Sequence, residues 1–258
     1  MNDLQEVMRQ ADGGDEDAMY WSALKIIWGD QTTAPEPGLA EKAVEYYSLL
    51  AQTGHCDSML DLGAMYLDGR GVEKNEDKAL AWYMKASDKL YPKAYRCIGN
   101  FWLIYSEKAP DIARAFDAFA KGALFEEQNS LYMLGDFYRE GEYIDKDVYF
   151  AFALYRAAER VIARNDLGFP DGDITCDDCY SAVQLRLGEC YLDGIGTKAD
   201  IEQAARYLQP AVTVYERRIA EGDNPSGVNS KELIRAQEKL AETVKRKSKP
   251  PQKRNTAG

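Results

Sequence analysis

The sequence predicts an all-α solenoid of about five helix–turn–helix repeats followed by a C-terminal helix. Three observations lead there. One pattern of residues begins at Ser58, Ala94, Ser130 and Val183, in steps of 36, 36 and 53 residues. A glycine recurs in the first half of every copy, although a helix interior disfavours glycine by about 1 kcal/mol relative to alanine. An Asn or Asp recurs seventeen places in, where a second helix would need a cap. Self-similarity at a fixed period is the mark of stacked repeats, and the longer third step implies an insertion of 17 residues.

The elements follow in order. Residues 1–17 form an N-terminal segment ahead of the pattern. A degenerate first copy occupies 18–54, with Ser22, Ala23 and Ile26 in place of the aliphatic, glycine and aromatic residues. Its turn is lengthened by DQTTAPEPGLA before EKAVEYYSLLAQTG supplies a second helix. A terminal copy that departs from the pattern is expected, because one of its sides faces water. The next copies run over 58–90, 94–125, 130–162 and 183–211. Four places into each stand Leu62, Ile98, Leu134 and Leu187, followed by Gly63, Gly99, Gly135 and Gly188. Eight places in comes an aromatic residue: Tyr66, Trp102, Tyr138 or Tyr191. Spacings of 0, 4 and 8 lie along one helical face. The capping column is Asn75, Asp111, Asp147 and Asp200, and four places on it is followed by Ala79, Ala115, Ala151 and Ala204. The glycine and alanine columns remove bulk where two helices cross, and the added packing offsets the propensity cost. Most aromatic residues of these columns are expected in the core. An inserted loop covers about 163–180. Beyond Pro210 one helix is expected over 211–220 and a last one over about 231–247, capped by Ser230, so that 212–247 hold the C-terminal helices. Residues 248–258 read as a disordered basic tail.

These residues resemble the Sel-one-like repeat family, relatives of the tetratricopeptide repeat. LGAMYLDGRGV and KALAWYMKAS, within Ser58 to Ser87, fit its pattern almost throughout. The third copy departs from it, with Tyr105 and Glu107 where the loop glycines belong, and the fourth keeps Gly141 but has Tyr143. The resemblance implies a right-handed superhelix of antiparallel helix pairs whose concave face binds other proteins. It also implies an adaptor, or a partner-specific role in a bacterial envelope, host-contact or toxin system.

Composition limits the partners. Hydrophobic residues make up 45 % of the 258 residues, ordinary for a folded chain, and no apolar run reaches the ~20 residues a membrane helix needs. The first eighteen residues lack a basic stretch followed by an apolar one, and five scattered cysteines do not form a disulfide framework, so a reducing cytoplasm is expected. The net charge is −11, and the last fourteen residues carry six cations and no acid, which leaves −17 on residues 1–244. Such a body repels nucleic-acid phosphate and anionic lipid and steers basic partners towards itself. The tail KRKSKPPQKR lacks interleaved aromatics and reads as a solubilising end rather than a nucleic-acid contact.

Few residues point to chemistry. Cys176 and Cys179 form a CxxC in the insertion. They are either incidental loop cysteines or half of a metal or disulfide site, and the flanking Asp177 and Asp178 raise rather than lower a thiol pKa. His55, the only histidine, is expected exposed in the turn QTGHCD, without a nucleophile near it in sequence. Phosphate-loop, G-x-S-x-G and H-E-x-x-H motifs are lacking, so the sequence predicts neither catalysis nor a cofactor.

In such a stack the first helices line the concave side. Residues two, six and nine to ten places into each copy then point into the groove. This selects Tyr20 and Trp28, Leu60 and Asp68, Arg96 and Asn100, then Tyr132, Asp136 and Arg139, and finally Glu189 and Asp193. The expected ligand is a peptide or the surface of a folded, possibly basic, protein. Three readings follow: a general adaptor, a bacterial inhibitor that neutralises one toxin, and, less favoured, an enzyme or redox protein using the CxxC loop.

Overall fold

The computed structural model describes residues 2–28, 37–105, 110–165, 179–222 and 228–248, and these form helices and turns without a strand. The chain divides into two compact units, residues 1–130 and 131–258.

The N-terminal unit contains α1 (Asn2–Asp12), α2 (Glu16–Trp28), α3 (Pro37–Thr53), α4 (Cys56–Asp68), α5 (Glu76–Asp88), α6 (Pro92–Asn100) and α7 (Ile112–Leu124). Helix α8 (Gln128–Glu140) carries the division at Ser130. Pairs α2–α3, α4–α5 and α6–α7 are the first three copies. Helix α1 was not anticipated, yet Leu4, Val7, Met8 and Ala11 already have the i, i+3, i+4, i+7 spacing of an apolar stripe. Ala11 is fully buried, and Asp12 accepts from the Tyr46 hydroxyl at 2.8 Å and pairs with Lys42 at 2.9 Å.

The C-terminal unit continues with α9 (Val148–Asn165), α10 (Tyr180–Asp193), α11 (Ile201–Ala220) and α12 (Val228–Ser248). Helix α11 corrects the expected break at Pro210. It runs unbroken through the proline for 20 residues. A proline inside a helix removes one hydrogen bond and crowds the preceding turn, at about 3 kcal/mol. Buried Leu208, Ala211, Val212, Val214 and Tyr215, on both sides of it, hold the helix together.

The repeat columns do what their chemistry requires. Asn75, Asp111, Asp147 and Asp200 each accept backbone N–H bonds in the first turn of α5, α7, α9 and α11. A Cβ at Gly63, Gly99, Gly135 or Gly188 would stand less than 3.0 Å from Tyr83, Phe119, Tyr155 or Leu208 respectively. Each glycine is therefore the floor on which the partner helix rests a large buried side chain. Gly69 and Gly194 close α4 and α10 at φ 71°, left-handed backbone that a side chain rarely adopts. In the third copy, which has no such glycine, α6 passes into a π-helical turn over Phe101–Tyr105. One aromatic expectation is corrected: Tyr66, Trp102, Tyr138 and Tyr191 are only half-buried, whereas Tyr83, Phe119 and Tyr155 fill the core.

Candidate functional site

The residues selected for the groove separate into two chemically different settings, one in each unit. In the N-terminal unit, the rings of Tyr20 on α2, Tyr47 on α3, His55 at the cap of α4 and Tyr91 at the cap of α6 stand around two carboxylates of α4, Asp57 and Asp61. His55 caps α4, its Nδ1 accepting from the Ser58 N–H at 3.2 Å, so it is a half-buried cap rather than an exposed turn residue. Its ring lies 4.9 Å from that of Tyr20, which also meets Tyr47 edge-on at 6.0 Å. Asp57 accepts from the Tyr91 hydroxyl at 2.7 Å and from Lys93 Nζ at 3.2 Å. Asp61, one turn further along α4, lies between Tyr20, Tyr47 and Asp57. Burial and the negative Asp57 raise its pKa to about 6, although hydrogen bonding to Tyr47 and Tyr20 and the charge of Lys93 pull the other way. Burial, joined by Asp61 and Asp57 at Tyr20 and by Asp57 at Tyr91, pushes both hydroxyls well above their usual range. The outcome is a half-buried negative charge without a full complement.

The remaining selected residues of this unit are dispersed. Asp68 is exposed and pairs with Arg70 at 3.3 Å. Arg96 is half-buried, 3.7 Å from Glu127, which itself caps α8 by accepting from the Ser130 N–H and hydroxyl. Asn100 is half-buried at the end of α6. Leu60 is a correction to the register: it is buried in the core cluster rather than turned into a groove. Trp28 ends α2, and its side chain lies outside the described residues.

In the C-terminal unit the selected charges meet, but they are already taken. Asp136 on α8 receives the Arg186 guanidinium at 2.7–2.9 Å and the Tyr155 hydroxyl at 2.6 Å. The same guanidinium lies 5.1 Å from the ring centre of Tyr132, which is half-buried. Glu189 on α10, 1 % exposed, binds Arg139 at 2.6 Å and Arg235 at 2.6 and 2.7 Å. Asp193 binds Lys239 at 3.0 Å and Arg246 at 2.8 Å. Burial would raise the Glu189 carboxyl, but Arg235 and Arg139 hold it below the usual range, and Asp193 is held low by Lys239 and Arg246.

Arg186, Arg235, Lys239 and Arg246 complete this ladder, and sequence reasoning missed all four. Arg186 lies three places into its copy, a register not considered. The others sit on α12, treated as an appendage. A repeating separation gives α12 away: Arg235 follows Glu189, and Lys239 follows Asp193, by the same 46 residues. Helix α12 thus takes the place of a first helix in a sixth pair. Arg246, assigned to the basic tail, is part of the ladder.

Among the described residues no group of three or more His, Cys, Asp or Glu could hold a metal ion. Cys179 is buried at the N-terminus of α10, and Cys176 lies outside the described residues, as do 249–258 of the tail. No described helix is long and apolar enough to cross a membrane.

A chain of helix pairs, four of the five built on a glycine floor and a capping Asn or Asp, defines a helical-repeat protein. Four stretches, residues 37–55, 56–89, 128–160 and 181–213, match the Sel1 repeat, and the chain is a Sel1-repeat protein. The third copy, with its π-helical turn, is outside those matches. The fold is similar to a Sel1 repeat protein from Oxalobacter formigenes, at 26 % identity and TM-score 0.63 over 81 % of this chain and 55 % of that one. It is also similar to c5321, a protective antigen of uropathogenic Escherichia coli with an SLR fold, at 24 % identity and TM-score 0.59 over 99 % and 53 %. The chain thus spans about half the length of these two. The immunity protein Pa5087 from Pseudomonas aeruginosa shares the fold at 21 % identity and TM-score 0.52, over 88 % of this chain and 81 % of that one. No curated protein matches the chain significantly.

Proposed function

We propose that this chain is a non-catalytic protein-binding module that takes a basic partner on the first-helix face of its N-terminal unit. Sel1 repeats are protein-interaction modules in general, so binding is the expected class of activity. One observation supports that face: Asp61, with its pKa raised to about 6, lies beside Asp57 and between Tyr20 and Tyr47, while Tyr91 donates to Asp57. At neutral pH a carboxylate in that position lacks a full counter-charge. A lysine or arginine side chain of a partner would supply one, and the aromatic rings add cation–π attraction. The C-terminal ladder offers no such opening, because its acids already hold their own cations. The acidic body adds steering towards a basic surface. The reading places the protein in a reducing compartment, as its cysteine spacing suggests.

The −17 body and the fold shared with an immunity protein favour, as a second reading, an inhibitor of one basic toxin over an adaptor with several partners. Affinity capture from the native cell with wild type and Asp61→Asn, followed by mass spectrometry, tests both. A partner lost with Asp61→Asn supports the proposed face. One partner bound at nanomolar affinity favours the inhibitor, and several weak ones the adaptor. Partners captured equally by both proteins contradict the proposal.

A further inference from the structure

One column of the repeat changes chemistry in the fifth copy. One place into the copies stand Met19, Met59, Tyr95 and Leu131, and then Gln184. The glutamine is 6 % exposed, as deeply set as Met59 or Leu131. A buried amide is costly to leave without hydrogen bonds, so such groups are ordinarily paired. The Gln184 side chain has no partner among the described residues. It lines instead a hollow of about 710 Å³ walled by α9, α10 and α11, within the ~300–1,000 Å³ of ligand sites. Some of the polar groups in that wall are taken. Arg156 pairs with Glu159 and donates to the Tyr207 hydroxyl at 2.5 Å, which in turn donates to Glu159 at 2.8 Å. Two others are not: the side-chain amide of Gln203 and the exposed guanidinium of Arg206, both on α11, have no partner among the described residues. Two amides and one cation therefore line the hollow with their hydrogen bonds unmade.

We propose that this hollow takes an extended, acidic segment of a protein partner, its main chain pairing with Gln184 and Gln203 and a carboxylate reaching Arg206. A glutamine amide presents a donor and an acceptor side by side, which is the pattern of a peptide group; an apolar or purely anionic ligand would leave half of it unpaired. Arg156 and Glu159 offset each other, so Arg206 is the surplus charge among the described lining residues, and it is positive. The hollow belongs to the C-terminal unit and does not involve Asp61, so this site and the N-terminal face can fail separately.

The test titrates the full chain with the peptide acetyl-Ala-Glu-Ala-amide while the side-chain NH2 of Gln184 is followed by NMR. Two control peptides carry glutamine in place of the glutamate, or N-methyl groups in place of the main-chain N–H hydrogens. The expected result is saturable millimolar binding that shifts the Gln184 resonance, several-fold weaker for the glutamine peptide and at least tenfold weaker for the N-methylated one. Arg206→Gln is expected to abolish the preference for the glutamate peptide. Its position is exposed, so it keeps the test open whatever Gln184→Leu does to folding. Gln184→Leu installs the residue that the fourth copy carries at the same place, Leu131. It is expected to weaken binding at least tenfold and to raise the Tm, because an unpaired amide leaves the core. No saturable shift at Gln184, equal binding of the N-methylated peptide, a glutamate preference that survives Arg206→Gln, or wild-type binding by Gln184→Leu overturns the proposal.

Discussion

Asp61 is a carboxyl group held where its charge is unwelcome. Its pKa of about 6 in the folded chain lies above the ordinary 3.8, so the native state binds its proton more tightly than the unfolded state does. The stability this group contributes is fully present below about pH 4 and is lost as pH rises through 6. Asp61→Asn, neutral at every pH, is therefore expected to be more stable than wild type at pH 7.5, by on the order of 1–2 kcal/mol, with the gap narrowing towards pH 5. Thermal melts across that range check it. Glu189 has the opposite sign. Its depressed pKa gives stability that is present above about pH 4.5 and lost as acid protonates it. Glu189→Ala leaves Arg139 and Arg235 facing each other without their shared acid, and on the order of 3 kcal/mol should be lost in urea denaturation. The glycines test packing at the same scale. Gly99→Val would drive two methyl groups into Phe119 and should destabilise by at least ~2 kcal/mol.

At the scale of the helix, the sequence told most where one chemical demand recurs. Caps, glycine floors and small alanines were legible because each copy needs the same backbone partner or the same close approach. Helix α1 carried its signal too, in Leu4, Val7, Met8 and Ala11, but it stands outside the period and so escaped a search for repeats. Pro210 misled because a local rule lost to burial on both sides of it. Pro210→Ala restores an N–H donor and removes the crowding in α11. It should raise stability in urea by on the order of 1 kcal/mol or more. Half-burial of Tyr66, Trp102, Tyr138 and Tyr191 was hidden for another reason: a helical face can meet a neighbouring helix at its edge as well as in the core. The first three of these rings meet the side chain twelve places on, Lys78, Arg114 and Phe150, and Tyr191 meets Phe152 and Tyr207.

For the whole molecule, the fold was readable and the site only in outline. Periodicity says which side chains leave the core. It does not say which of them already have a counter-charge. Asp136, Arg139, Glu189 and Asp193 were selected as binding residues, and the fold instead spends them on joining α8, α10 and α12. Their partners lie 46 to 53 residues away in sequence, with nothing local to announce the pairing. Charge reversal at Arg139 would break this ladder, so loss of binding in that variant would report unfolding as readily as recognition. Tyr20 is different: its surroundings set an aromatic ring against uncompensated acid, and that combination distinguishes the N-terminal unit. The most direct measurement is hydrogen–deuterium exchange of the chain with and without its captured partner. The account predicts new protection in α2, α4 and α6 around Tyr20 and Asp61, with α10 and α12 unchanged. Protection confined to α10 and α12, or none in α4, would contradict it.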